Sequence, residues 1–185
     1  MRVLFHRLAI ATMVLTFVLM MLGGYVKAIG AGLSCPDWPT CYGQWNMFDA
    51  TLYDHRGLTV DGYGMTEVFA EWFHRLVASV VGPMILSVAI MAWRLDPLDK
   101  RVRFWASTAM VLLPTQIILG GLTVTQDLQP FIVVSHLGFA TLIFGSLVAT
   151  VVFSAVHPHL AAARGAPSAE QAGEQATDAT SEASA

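Results

Sequence analysis

The sequence predicts an all-α membrane protein: a four-helix transmembrane bundle built from two helix-pair repeats, with both termini in the cytoplasm. Three observations lead there. The chain is 55% hydrophobic and only 12% charged, about half the charge of a typical soluble domain. Its charge-free windows, 8–26, 76–93, 104–126 and 128–163, are each long enough to cross a hydrocarbon core roughly 30 Å thick at about 1.5 Å of rise per residue. Leu-Gly-Gly also occurs twice, at 22–24 and 119–121. Each time it sits near the end of a helix and is followed by a loop and a helix with one histidine near its start.

The first window is read as a retained helix, because no small-residue cleavage site follows it. Arg2 and Arg7 precede it, and Arg94, Lys100, Arg101 and Arg103 crowd the connection between helices two and three. The connection between helices three and four holds Asp127 and no basic residue. By the positive-inside rule the termini and the 94–103 connection are cytoplasmic, and the long segment of about 27–66 lies outside. Pro83 and Pro114 fall inside helices two and three, where they are expected to kink the bundle, either as ordinary membrane-helix irregularity, the favoured reading, or so as to widen a ligand pocket. Residues 1–157 form the membrane domain. Residues 158–185 are rich in Ala, Ser, Glu and Gln without apolar periodicity, and are expected to be a disordered acidic cytoplasmic tail.

Chemistry concentrates at the mouth of the second helix, in Glu71, Trp72, Phe73, His74 and Arg75. On a helix, Glu71, His74 and Arg75 share one face at i, i+3 and i+4. Ionisable groups entering a membrane helix mark function or pair with one another. The bland alternative is a Glu71–Arg75 ion pair at the water boundary with His74 beside it. A second membrane histidine, His136, lies near the start of helix four. Both fall roughly 9–12 Å below the outer surface on helices running the same way. A lone membrane histidine is usually a hydrogen-bonded core residue, but a depth-matched pair in a four-helix bundle suits axial coordination of haem iron. His6, His55, His157 and His159 read as solvated or interfacial.

The outer segment holds the only two cysteines, Cys35 and Cys41. On the oxidising side of a membrane the default is a disulfide. It is either structural or, between Pro36 and Pro39, redox-active. Zinc would need further ligands at suitable spacing. Trp45, Phe48, Tyr53 and Tyr63 suggest an interfacial cover.

Taken together these motifs resemble the haem A synthase family, CtaA type. The stretch 23–44, running Gly-Gly-Tyr-Val-Lys-Ala-Ile-Gly-Ala-Gly-Leu-Ser-Cys-Pro-Asp-Trp-Pro-Thr-Cys-Tyr-Gly-Gln, is similar to that family's signature. Glu71, His74 and Arg75 match its Glu-x-x-His-Arg motif, and residues 119–124 and 135–137 resemble its third- and fourth-helix motifs. The likeness covers roughly 15–145. Lys27 stands where the family usually has Arg. Most members have eight helices in two halves, whereas this chain has four, like the N-terminal half or the compact form of some archaea.

The resemblance implies oxidation of a ring methyl of haem O to a formyl group, giving haem A for terminal oxidases. By motif, His74 and His136 are the axial ligands of the haem iron, and Glu71 is the essential acid beside the reacting edge. Cys35 and Cys41 are the external pair, and Arg75 partners Glu71 or a haem propionate. The family uses haem b as cofactor beside its haem O substrate. With one histidine pair per chain, two sites imply a homo-oligomer, or one site serving both in turn. The lipid bilayer and a haem O synthase are the further expected partners, with no nucleic acid. Two rivals remain. A bis-histidine membrane cytochrome would pass electrons without modifying haem. A thiol oxidoreductase would need a C-x-x-C pair and a second exchanging pair.

Overall fold

A computed structural model of the chain describes residues 1–95 and 99–165. Four helices long and apolar enough to cross a membrane are found among the described residues, as the charge-free windows predict, and the chain is a multi-pass membrane protein. They are α1 (Arg2–Ala28), α2 (Met65–Arg94), α3 (Lys100–Thr125) and α4 (Pro130–Gly165). Each packs on its two neighbours, α1 on α2, α2 on α3, α3 on α4 and α4 back on α1, while among the described residues the backbones of the diagonal pairs α1/α3 and α2/α4 do not approach one another. The helices run continuously through Pro83 and Pro114. The fourth continues to Gly165, past the boundary expected at 157. The acidic tail expected beyond it otherwise lies outside the described residues.

The helix ends follow from local chemistry. Asp99 accepts from the Arg101 amide at the start of α3, and Pro130, which has no N–H to leave unpaired, begins α4. The loop-side ends of α1 and α3 share one pattern. Ala31 N donates to Val26 O and Gly30 N to Lys27 O, while Leu128 N donates to Thr123 O and Asp127 N to Val124 O. These are Schellman closures, with Gly30 (φ 74°) and Asp127 (φ 47°) in the left-handed position. The repeated Leu-Gly-Gly thus leads into the same turn in both halves.

Packing divides the bundle into levels. At the end bearing the chain's start, Phe5, Ala9, Val88, Ala92, Val102 and Ala106 form a core. A middle core joins Val81, Ile85, Ala109, Ile143 and Leu147. The buried hydroxyls of Thr12, Thr16, Ser146 and Thr150 donate back to carbonyls one turn earlier, which satisfies them where water is excluded. Nearer the loop the pattern changes. Across 17–25 on α1, 72–80 on α2, 110–120 on α3 and 130–142 on α4, no residue is fully buried. Helices packed to native density bury a residue nearly every turn, so these four do not close on one another at that level.

Above it sits the 29–64 loop, with its own small core. Cys35, Cys41, Met47 and Val68 are buried there against Tyr42, Tyr53, Tyr63 and Trp72. Phe48 packs on Phe69 and Trp72, and Leu128 of the α3–α4 turn fits over Gly32.

Candidate functional site

His74 and His136 both lie in the unclosed level, on the diagonal helices α2 and α4, so the bundle axis runs between them. Each leans on a glycine of the preceding helix. A Cβ on Gly23 would stand 3.0 Å from His74 Cε1, and one on Gly120 would stand 3.2 Å from His136 Cε1. Gly23 and Gly120 therefore make room for the imidazoles. The Nδ1 atoms of both are buried without a hydrogen-bond partner.

Among the described residues no group of three or more His, Cys, Asp or Glu could hold a metal ion. A histidine pair alone is a poor cage for a bare ion. It suits a metal whose other positions are filled by a macrocycle. Two opposed imidazoles, glycine cradles behind them and a level where the helices do not close are features that fit haem.

Sequence reasoning missed Gln116. Its Nε2 lies 3.4 Å from His136 Nε2, and its Oε1 is buried with no partner. One amide in an apolar helix leaves no periodic signal, and only its nearness to His136 singles it out.

Glu71 is placed differently from the expectation. It is 4% exposed and turned into the cysteine loop. Its Oε2 accepts from Ser34 Oγ at 3.0 Å and from the Cys35 amide at 2.9 Å, and its Oε1 accepts from Arg75 at 2.5 Å. Arg75 in turn donates to the carbonyls of Cys35, Asp37 and Thr40 at 2.9, 2.6 and 2.6 Å. Its two terminal nitrogens are thus engaged by the loop and Glu71, where a haem propionate was the alternative. This pair is buried, not a boundary pair exposed to water. The loop folds over it, a long-range event that i, i+4 spacing does not announce.

Cys35 and Cys41 form a disulfide. Within the ring they close, Asp37 accepts from Thr40 Oγ1 and from the amides of Tyr42 and Gly43. Partial burial raises its carboxyl, but these hydrogen bonds outweigh burial and hold it below the ordinary 3.8. Trp38 of the same ring lies on Gly121 of α3, where an added Cβ would stand 3.3 Å from the indole. The loop therefore bridges α2 and α3 beside the histidine level. An open recess of about 310 Å³ between the loop and the α3–α4 turn, lined by Leu33, Pro36, Asp61, Tyr63, Val124 and Asp127, contains none of these residues.

A family model described as cytochrome oxidase assembly protein, COX15-CtaA, matches residues 6–176. A Heme A synthase from Shewanella oneidensis is 31% identical over 68% of this chain and 38% of its own length. One from Bacillus licheniformis is 31% identical over 79% of this chain and 44% of its own. A Protoheme IX farnesyltransferase from Halobacterium salinarum is 31% identical over 74% of this chain and 27% of its own length. The matched stretch is thus less than half of each of these relatives. No solved structure matches.

Proposed function

The chain belongs to the COX15-CtaA family of cytochrome oxidase assembly proteins, and we propose that it is a haem A synthase, oxidising a ring methyl of haem O to a formyl group within the membrane. The observation that carries this reading is the placement of His74 and His136 on diagonal helices at the level where the bundle does not close. The relatives named Heme A synthase support it.

Haem iron held between the two imidazoles would supply the redox chemistry. His74 and His136 are the residues that would hold the iron, each ring set against a glycine of the preceding helix. Gly23 and Gly120 keep the space behind each ring clear. Glu71 is proposed as a positioning residue: with Arg75 it fixes the disulfide loop to α2, one turn from His74, and holds Trp38 against α3. The loop covers the bundle beside the histidine level, where it would limit access to a bound group.

Haem b as cofactor and haem O as substrate need two sites, which a homo-oligomer supplies, or one site used for each in turn. The likeness to proteins named Protoheme IX farnesyltransferase supports a haem O synthase as partner, since farnesyl transfer to protohaem supplies the substrate.

The test is extraction of haem from cells expressing the protein with and without a haem O source. Haem A appearing only when haem O is supplied is the expected result. Haem O recovered unchanged, from protein that carries bound haem, would make the chain an electron-carrying cytochrome instead.

A further inference from the structure

The two halves of the bundle treat their histidines unequally. When Gly23 is aligned with Gly120, Gln116 of α3 falls at the position of Leu19 in α1. His74 therefore has an aliphatic side chain where His136 has an amide. That amide lies 3.4 Å from His136 Nε2, while Nδ1 is buried without a hydrogen-bond partner. If Nε2 is the nitrogen that meets a metal, the amide lies beside it. The consequence does not depend on which way the amide is turned, since either end occupies the direction of the lone pair. Iron and Gln116 would compete for one nitrogen at His136, whereas among the described residues no side chain is hydrogen-bonded to His74. The buried, unpartnered Oε1 makes the amide a group with an unmet need in an apolar setting.

We infer that Gln116 makes His136 the exchangeable axial ligand and leaves His74 as the permanent one. This rests on the haem reading above and adds an order to it. His74 would hold haem throughout, and the His136 side would be the one to open when a bound molecule leaves. A site that takes one haem and releases another needs such an inequality between its ligands, because two equally firm bonds would trap the product.

The experiment uses the purified full chain loaded with haem and reads coordination, not turnover. Carbon monoxide binds ferrous six-coordinate haem by displacing the weaker axial ligand. Gln116→Leu, which copies Leu19, is expected to slow carbon monoxide binding by roughly threefold to tenfold, the scale of one lost competing hydrogen bond. Leu19→Gln is expected to speed it, by loosening His74. His136→Ala is expected to keep haem in a five-coordinate form, whereas His74→Ala loses most of it. Equal haem retention in the two alanine variants, with an unchanged carbon monoxide rate in Gln116→Leu, would overturn the inference while leaving the bis-histidine site standing. An absorption spectrum that neither alanine variant alters would remove the haem site and the inference together.

Discussion

Gly23 and His74 share one space: a methyl group on the glycine would stand 3.0 Å from Cε1 of the imidazole, tighter than nine in ten packed Cβ contacts, so that the ring would have to give way. Gly24, the next residue, has nothing within 4 Å of the same construction. This pair of neighbours gives a controlled test. Gly23→Ala is expected to push the imidazole off its position and to lower haem content or shift the haem spectrum. Gly24→Ala, with the same change in helix propensity, is expected to do neither. Equal behaviour of the two variants would mean that the glycine serves only the helix.

The Glu71–Arg75 pair predicts a stability effect. Removing one partner of a buried ion pair leaves the other uncompensated, at a cost of about 3–5 kcal/mol. Arg75→Ala also strips the carbonyls of Cys35, Asp37 and Thr40 of their donor. A marked fall in the midpoint of thermal unfolding in detergent is expected. Arg56→Ala, which removes the exposed pair with Asp54, is expected to leave the midpoint where it was.

Glu71→Gln separates positioning from bulk stability. The amide keeps the size of the carboxyl but turns an acceptor into a donor facing Ser34 and Cys35, or facing Arg75. The variant is expected to retain near-normal haem content and to make little haem A, with its disulfide more accessible to reductant. Normal haem A output with an equally protected disulfide would remove Glu71 from the account.

The loop has a pH dependence with a defined sign. The Asp37 carboxyl is held below 3.8 by its hydrogen bonds, so the stabilisation it gives is complete above that value and is lost as pH falls through the lower, folded one. Reduction of Cys35–Cys41 by a phosphine, which acts in acid, should accelerate as the pH drops below 3.8. Asp37→Asn should be reduced readily at neutral pH and show no such acceleration. A rate independent of pH in the unmutated protein would show that Asp37 does not hold the ring closed.

The helices and the disulfide were legible in the sequence because each rests on a local rule: apolar length or compartment. The Schellman closures at Gly30 and Asp127 extend the Leu-Gly-Gly repeat, although Asp127 carries no glycine to advertise its left-handed backbone. What was not legible depends on contacts between elements. Arg75 serves three loop carbonyls, which no spacing rule connects to it. Glu71 is buried because the 29–64 loop covers it, so the i, i+4 pair that looked solvent-exposed is not. Gln116 acquires meaning only when α3 is set beside α4.

The most direct test of the haem site is the low-temperature electron paramagnetic resonance spectrum of the purified ferric protein. A low-spin, six-coordinate haem signal is expected in the unmutated chain. It should be absent from both His74→Ala and His136→Ala, and retained in His6→Ala and His55→Ala. The same low-spin signal persisting in both the His74 and His136 variants would contradict the account.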